Sequence, residues 1–549
     1  MATIEISFEK LKQELKNPAL SIEDLESILF EFGLEIDGYV EAEDLLKIEV
    51  TAERVDLLSF YGLSRALKAY LDVEKYRPIE VMESDLQVNV SQSVVDYGAY
   101  TMSAVVKDLN LDDQKIKEII NIQEKLHVTY GRKRKSIAIG VYPLDKIKFP
   151  ISFDAKAPKD IKFVPLGETQ EMTGLEILEK HPTGVAYSKL VGGKKKLLVF
   201  IDSNNKILSM PPIINSLDTG KVTENTKEIF IECTGQNLSK LSYTINILVE
   251  MFKDIGGKVY SLQVNYPNLK IVSPNPKKPT MQVSIDYLNQ VLGTDIDINL
   301  ASELLERMMY VSKVIDNNKL ELIVPKFRTD VLHDNDVADD LARAYGFSNI
   351  IPKESRVVSV AEKLEVSIKQ EQINNIMCNM GFVEIMPLTL SSTKNSFDDF
   401  LIAGKDYVKL GFSAESSLNI VSNWLLPKLL KTLTFNQHRS YPQKIFACDF
   451  VVVEDLTKDV KSKNVLKTSC VIADSKITFT EISSVLLRLV NVLGYELKLE
   501  KKDYNYYMAG RSATVLVDDK VVGTIGELNP KVLINYNYTV PVCGFEIEI

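Results

Sequence analysis

Three prolines fall within the seven residues Ser273-Pro274-Asn275-Pro276-Lys277-Lys278-Pro279, and no helix or central strand can run through such a segment. It reads as a linker, and it divides a chain of 549 residues that is already too long for one hydrophobic core. Length alone asks for roughly three or four domains. Hydrophobic residues make up 45% and charged residues 26%, the composition of ordinary globular protein. No apolar run reaches the ~20 residues that a membrane helix needs, so no membrane partner is expected. The opening MATIEISFEKLKQEL is charged throughout, unlike a secretory signal, which makes a cytoplasmic protein the expectation. Cys233, Cys378, Cys448, Cys470 and Cys543 are scattered, odd in number and without CxxC pairs. Buried reduced thiols explain them better than a disulfide framework or a zinc knuckle.

Four blocks emerge from the pattern, at 1–85, 92–272, 280–350 and 356–549. In the first, Ser21 with Asp24 marks a helix start, and Leu25, Ile28, Leu29 and Phe32 recur at helical spacing. A second helix is predicted over Leu57–Leu71, then an exit strand and linker between Tyr76 and Ser91. The second block mixes strands (Ala99–Val106, Leu197–Ile201, Glu228–Glu232) with helices (Asp113–Leu126, Leu238–Lys253). The third reads as a strand, a helix over Ile298–Met308, a strand pair within Tyr310–Val324 and a helix from Asp336. The fourth opens with a helix over Leu364–Met380 and alternates strands and helices thereafter. The fold class is therefore multidomain α+β, without a repeat of solenoid period.

The net charge of −10 argues against a free-standing nucleic-acid binder, which usually carries a basic face. Local patches remain, at Arg132-Lys133-Arg134-Lys135 and Lys194-Lys195-Lys196; each alone is more often a solvated turn than an RNA site.

The sharpest chemistry lies in residues 325–350, PKFRTDVLHDNDVADDLARAYGFSNI. Asp330 precedes a helix on which Asp336, Asp339 and Asp340 stand at i, i+3 and i+4, on one face of its first turn. Carboxylates packed so closely repel unless compensated. A hard divalent cation with oxygen ligands, such as Mg²⁺, would resolve the repulsion. Acids at a helix N-terminus are also favoured by the helix dipole without any metal, and spacing alone favours that simpler account. His333 and Asp334 read as turn residues.

This segment resembles the signature of phenylalanine–tRNA ligase β subunits, in which R-x-D is followed by acids six, nine and ten residues after the aspartate. Asp330, Asp336, Asp339 and Asp340 fall on those positions, and Arg343-Ala344-Tyr345-Gly346-Phe347 continues the match. The resemblance implies that the four acids form a Mg²⁺ site at the boundary with an α subunit, although aspartate replaces the family's frequent glutamate at the last two. It extends over essentially the whole chain. LESILFEFGLEIDGY and ERVDLLSFYGLSRALKAYL are similar to the family's opening domain, with Asp56, Leu57, Gly62, Leu63 and Arg65 on motif positions. IQEKLHVTYGRKRKSIAIGVYPLD, FVPLGETQEMTG, HPTGVAYSKL, SMPPIINS and IECTG resemble the archaeal and eukaryotic editing domain. The third block resembles a small winged-helix-like module. In the fourth, NWLLPKLLKTL, YPQKIFACDFVV, AGRSATVLV and VGTIGELNPKVL resemble a class II synthetase-like, antiparallel-sheet domain that has lost its active site. Ser422, Ala447 and Asn529 stand where the family usually has arginine, glutamate and histidine, which reads as drift at scaffold positions.

What the resemblance implies is a partnership. The expected assembly is an α2β2 heterotetramer acting on tRNA(Phe), with ATP and phenylalanine bound by the α subunit. Block four supports this division of labour. It lacks both an arginine placed to grip an α-phosphate and a glycine-rich strand ending in arginine. Gly510-Arg511 is a single pair, and Gly523 and Gly526 precede Glu527; turn geometry is the expected use of these glycines. Trp424, Leu425, Leu426, Ile445 and Phe446 read as core by default.

Editing is the second expected activity. A hydrophobic pocket rejects an isostere bearing an added hydroxyl by only roughly 10²-fold, so separating tyrosine from phenylalanine profits from a second site that hydrogen-bonds the phenol. Glu232 and Thr234 alternate on one strand and share a face. They are the expected recognition residues, with Ser209 and Asn215 as pocket wall; capping or solvent-facing roles are equally open to each. Cys233 should face the opposite side, in the core. Tyr142 stands where the family often has histidine, and His181 reads as structural. Two alternatives stand beside the editing β subunit: an assembly-only β subunit whose editing has decayed, and a free-standing aminoacyl-tRNA deacylase.

Overall fold

The helix that opens at Ser21 forms as the sequence predicts, over Ile22–Phe32, with a reciprocal cap between Ser21 and Asp24. The structure is a computed structural model, and it describes residues 2–275, 277–354, 360–403 and 406–548. Pro276 of the expected linker, residue 356 where the fourth block was placed, and both terminal residues lie outside the described residues. The chain divides into two compact units, 1–354 and 355–549.

In the first unit, strands Ala2–Ser7, Leu45–Val50 and Glu35–Val40 form an antiparallel sheet in that order. Helix Ile22–Phe32 ends at Gly33, whose φ of 94° only glycine adopts without strain. A side chain there would also collide with the guanidinium of Arg343, which donates to the Phe32 carbonyl at 2.9 Å. The second helix runs over Phe60–Tyr70 rather than from Leu57. The Ser59 hydroxyl caps it by accepting from the Gly62 amide, and Val55–Leu57 forms a separate short turn before it.

Two sheets make the centre of this unit. One has five strands in the order Val81–Met82, Lys258–Tyr260, Tyr100–Lys107, Ile229–Gly235 and Ile137–Pro143. The other has seven, in the order Ile214–Asn215, Ile207–Met210, Leu197–Ile201, Ile151–Lys156, Gln87–Val90, Leu262–Asn265 and Lys270–Ser273. The five-stranded sheet is buried on both faces. Ile229, Ile231 and Cys233 pack with residues of helices Asp113–Val128 and Leu238–Asp254. On the opposite face Val105, Tyr142 and Phe230 pack with Val88, Phe153 and Phe200 of the larger sheet. The alternation of strand side chains therefore decides which chemistry reaches which layer.

Residues 280–345 add a small antiparallel sheet (Thr280–Ser284, Lys319–Ile323, Val311–Val314) with helices Ile285–Leu292, Ile298–Arg307 and Asp334–Tyr345. The apolar core is continuous across the proline segment. Leu304, Leu322 and Leu341 belong to the same cluster as Leu25, Leu63 and Ile231. Polar ties reinforce it: Arg65 pairs with Asp254, and Arg307 donates to the Tyr70 carbonyl at 2.7 Å.

The second unit is built on a seven-stranded sheet in the order Val383–Glu384, Gln443–Glu454, Ser462–Ala473, Val542–Ile547, Lys520–Leu528, Tyr507–Val517 and Leu497–Lys501. Helices Glu365–Asn379 and Phe479–Val492 cover one face through Met377, Leu486 and Leu489. Helix Leu426–Phe435 and an aromatic group including Phe400, Tyr506 and Tyr536 cover the other. Glu546 accepts from the Leu425 and Leu426 amides at 2.7 and 2.8 Å, so a buried carboxylate caps that helix. Arg511 is engaged by Glu527 at 2.7 Å. Gly523 and Gly526 lie within a strand, where side chains would meet the Glu546 backbone and the Tyr507 ring. Close packing, rather than the expected turn, is what these two glycines provide. Among the described residues, no helix is long and apolar enough to cross a membrane.

Candidate functional site

Position within the strand Ile229–Gly235 puts Glu232 on the face turned towards the larger sheet, 2% exposed. Its neighbours across the ladder are Ser103 and Gly140. Tyr142 donates a hydrogen bond to Glu232 Oε1 at 3.0 Å, and its hydroxyl lies 3.4 Å from Asn215 Oδ1. Gly140 makes this meeting possible, because a Cβ there would collide with both the Tyr142 hydroxyl and the Glu232 carboxyl. Burial raises the Glu232 pKa to about 8, against a smaller lowering by the Tyr142 hydrogen bond. Burial likewise pushes the Tyr142 phenol well above its ordinary value.

Three buried polar atoms here have no hydrogen-bond partner: Glu232 Oε2, Ser209 Oγ and Ser103 Oγ. Buried polar groups are nearly always paired, and of these three only Glu232 belongs to the cavity, where its Oε2 is open to a partner from outside the chain. Space for one exists. A cavity of about 470 Å³ reaches Glu232 and Asn215 and is walled by Ile119, Val141, Pro212 and Ile213. It is apolar at the sides with a carboxyl and an amide within it, the usual make-up of a small-molecule site.

The structure thus brings Glu232 and Asn215 into one cavity, with Ser209 buried in the adjoining hairpin Ile207–Met210/Ile214–Asn215. Thr234 shares the face of Glu232 but not its cavity. It lines a second cleft of about 280 Å³, separated from the first by residues common to both, Arg134, Ala138 and Pro212. Two residues along a strand place Thr234 beyond that wall. Cys233 is fully buried on the helical face, as expected. His181 caps helix Pro182–Val191 by accepting from the Thr183 amide.

Sequence reasoning missed Ser103 and noted Tyr142 only as a departure from the family. It also missed His127, Glu124 and Arg134 at the cavity mouth. His127 Nε2 accepts from the Ile139 amide at 2.9 Å, capping the edge strand, so Nδ1 carries the hydrogen and faces Glu124 at 3.3 Å. Both ring nitrogens are engaged and burial lowers the pKa, which leaves no free base. Glu124 is drawn down to about 2 by His127 first, then by Arg134, against the raising effect of burial. Arg134 also donates to the Ile213 carbonyl at 2.9 Å and so fixes the hairpin. The signal was available in the helical spacing of Ile116, Ile119, Ile120, Gln123 and His127, which forms the wall facing the cavity.

The four acids expected to hold Mg²⁺ are not gathered round one point. Arg328 binds Asp330 through Nε at 2.9 Å and Nη2 at 2.7 Å, and the same Nη2 binds Asp340 Oδ2 at 2.7 Å. Tyr310 donates to that Asp340 oxygen at 2.7 Å. Asp336 turns back to accept from the Leu332 and His333 amides, both at 2.7 Å. Asp339 points outward to Arg343 at 2.9 Å. Helix Asp334–Tyr345 starts two residues earlier than predicted, capped by His333, and this cap claims Asp336. Among the described residues, no group of three or more His, Cys, Asp or Glu side chains is arranged to hold a metal ion. The donor set, with its charge already met by Arg328, Arg343 and backbone amides, does not fit a Mg²⁺ ion.

Comparison with known proteins places this architecture among the tRNA synthetase β chains. The phenylalanyl-tRNA synthetase β chain CLM domain family matches residues 351–549. The tRNA synthetase B5 domain matches 281–347, the B1 domain of the Phe-tRNA synthetase β subunit 1–73, and the B3/4 domain 105–248. A phenylalanine–tRNA ligase β subunit from Pyrococcus furiosus is 35% identical over 539 residues, covering 97% of each chain. Its counterpart from Methanocaldococcus jannaschii is 33% identical over 553 residues and covers 100% of both. An N-terminal fragment of the Pyrococcus horikoshii phenylalanyl-tRNA synthetase β subunit has a solved structure with a TM-score of 0.60 and 36% identity. It covers 63% of this chain and 99% of that one. The chain belongs to the family of phenylalanine–tRNA ligase β subunits, and is thus part of a ligase.

This geometry has two measurable consequences. Asp340→Ala takes one of two carboxylates from a buried guanidinium, which keeps Asp330, and leaves the Tyr310 hydroxyl without its acceptor; with the side chains of Asp340 and Arg328 3% and 2% exposed, it should destabilise the chain by about 2–3 kcal/mol. Asp339→Ala removes only an outer ion pair, worth under about 1 kcal/mol. Thermal unfolding of both variants, with and without chelator, checks this; equal losses that appear only when Mg²⁺ is present would contradict it. Separately, Glu232 holds a proton in the folded state that the unfolded chain releases above its ordinary value of 4.5. Its contribution to stability is therefore lost as pH rises from about 4.5 towards about 8, by at most ~1.4 kcal/mol per pH unit. Glu232→Gln should gain on the wild type across that window in denaturant titrations, and parallel pH curves would refute the assignment.

Proposed function

We propose that this chain is the editing and assembly half of an α2β2 phenylalanine–tRNA ligase, and that the Glu232 cavity removes tyrosine from mischarged Tyr-tRNA(Phe). The observation that carries the reading is a buried carboxyl with one oxygen held by Tyr142 and the other unpartnered, in a cavity with room for an aromatic side chain. A tyrosyl phenol supplies the hydrogen bond that Glu232 Oε2 lacks. A phenylalanyl ring cannot, and would leave that oxygen buried and unpaired. Sites built to hydrogen-bond a hydroxyl reject the analogue without it by roughly 10⁴-fold or more, far beyond what an apolar pocket achieves.

Hydrolysis itself needs little from the protein beyond positioning. Glu232 anchors the ring, Asn215 and the wall at Pro212 set its depth, and the ester is then presented to water. His127 takes no part as a base. The nucleophile is a positioned water, helped by the ribose hydroxyl next to the ester, and the products are tyrosine and free tRNA.

The remaining roles divide along the chain. Residues 92–272 edit. Residues 1–85 and 280–350 brace the editing block, and residues 356–549 serve as a synthetase-like scaffold for the α subunit. The α subunit binds ATP and phenylalanine and performs aminoacylation. Any Mg²⁺ belongs to that ATP chemistry, where the ion sits on substrate phosphates, and no step proposed for this chain passes through it. The cytoplasm, where translation occurs, is the proposed location.

With the assembled ligase and preformed Tyr-tRNA(Phe), Glu232→Ala should slow hydrolysis by roughly 10- to 100-fold, the cost of leaving one buried hydroxyl unpaired. Full hydrolysis by the variant would remove Glu232 from the site. No hydrolysis by the wild type would leave an assembly-only subunit.

A further inference from the structure

We propose that a cavity on the sheet of the second unit is a binding site for a free amino acid with an aromatic side chain, held by both its ammonium and its carboxylate. The inference does not depend on the editing reading, because it concerns residues 355–549 alone. The cavity measures about 350 Å³, and Phe397, Trp424 and Tyr506 form its aromatic wall. Three polar functions that line it are left open. Asn423 Oδ1 is buried and, among the described residues, has no hydrogen-bond partner. The Lys467 ammonium has three hydrogens and uses two, on the Asn423 backbone carbonyl and on Glu546 Oε1, both at 3.1 Å. The Thr524 hydroxyl accepts from the Tyr506 phenol at 3.2 Å and keeps its own hydrogen to give.

Strand order brings these groups together. Lys467 lies on Ser462–Ala473, Glu546 on Val542–Ile547 and Thr524 on Lys520–Leu528, three neighbouring strands. Thr524 stands directly opposite Glu546 on one side, and Ser469 on the other. Lys467, two residues from Ser469, therefore shares their face, the one covered by helix Leu426–Phe435 and the aromatic group. Glu546 keeps its place as the cap of that helix, and Lys467 meets its charge. The ion pair is thus a fixed part of the sheet, with one ammonium hydrogen to spare. An unpaired acceptor beside two unused donors, at a cavity wide enough for a small molecule, is an arrangement that stability alone would not keep.

The open functions have the polarity of the two ends of an amino acid. Lys467 and Thr524 offer hydrogens to a carboxylate, and Asn423 Oδ1 accepts one from an ammonium. The charges of Lys467 and Glu546 cancel, so a lone anion or cation would bring an unmatched charge into a half-enclosed site. A zwitterion brings none. No arginine lines the cavity, and its one lysine is already paired, so a chain of phosphates finds no counter-charge. The wall selects the side chain. Trp424 and Tyr506 meet edge to face with ring centroids 5.6 Å apart, and a further ring extends such a group favourably. The Trp424 N–H is taken by the Ser396 carbonyl at 3.2 Å, so this residue offers surface rather than a donor.

The chain carries its own reporter. Trp424 is its single tryptophan, so tryptophan emission reads this cavity and not the one at Glu232. The full chain, without the α subunit, is titrated with L-phenylalanine, 3-phenylpropanoate, phenethylamine and adenosine. L-Phenylalanine should change the Trp424 emission saturably. The two analogues that lack one charged end should bind at least about 10-fold more weakly, the loss of a hydrogen bond to a charged group. Asn423→Ala should weaken L-phenylalanine by about 10-fold or more, and Asn423→Asp, which keeps the acceptor, should restore it. Because Asn423 Oδ1 has no partner to lose, both variants should fold as the wild type does. No saturable response to L-phenylalanine would overturn the proposal. Binding of either analogue as tight as that of L-phenylalanine would do the same, by showing an apolar hole that ignores the ligand's charges. Tighter binding of adenosine would replace the amino acid with a base, and undiminished binding by Asn423→Ala would put the ligand elsewhere.

Discussion

A carboxyl group on a strand covered on both faces is the constraint around which the two central sheets of this protein are organised. Helices on one side of its sheet and a second sheet on the other leave Glu232 almost wholly buried. Leaving a charge there is costly, so the group keeps a proton to higher pH and one oxygen finds Tyr142. Gly140 is small so that the tyrosine can reach it, and the hairpin carrying Ser209 and Asn215 closes over the pair. The second oxygen stays unmatched. A fold optimised for stability alone would have filled or paired it; with Oε1 accepting from Tyr142, the retained proton lies on Oε2, and the group that would match it is a hydroxyl able to accept.

Much of this was legible from the residues, for reasons that differ by element. The helices over Ile22–Phe32 and Leu238–Asp254 announce themselves by spacing and by their caps, because those signals are local. Strand alternation correctly sent Cys233 to the core and Glu232 to the opposite face. Alternation fixes a face but not a depth along it, so Thr234 was grouped with a cavity it does not enter. Tyr142 and Ser103 could not be joined to Glu232 without knowing that their three strands are adjacent, which is a matter of sheet order rather than pattern.

The acidic segment teaches the complementary lesson. Helical spacing puts Asp336, Asp339 and Asp340 near one another, yet each takes a different partner once the fold supplies one. Arg328, two residues before Asp330, sits between Asp330 and Asp340 and does electrostatically what a cation would. The compensation that repulsion demands was predictable; its source, a guanidinium buried under Tyr310, depended on tertiary packing. In the second unit the same logic recurs, with Glu546 spent on a helix terminus and Arg511 on Glu527, so the charged groups of that sheet serve structure.

The central claim is that Glu232 reads a phenol. A crystal structure of the chain with a non-hydrolysable tyrosyl-amide analogue of the 3′-terminal aminoacyl-adenosine tests it most directly. The account predicts the ligand's phenol oxygen within hydrogen-bond distance of Glu232 Oε2, with the Tyr142 bond to Oε1 retained. A phenol directed away from Glu232, or a phenylalanyl analogue seated in the same cavity with equal affinity, would contradict it.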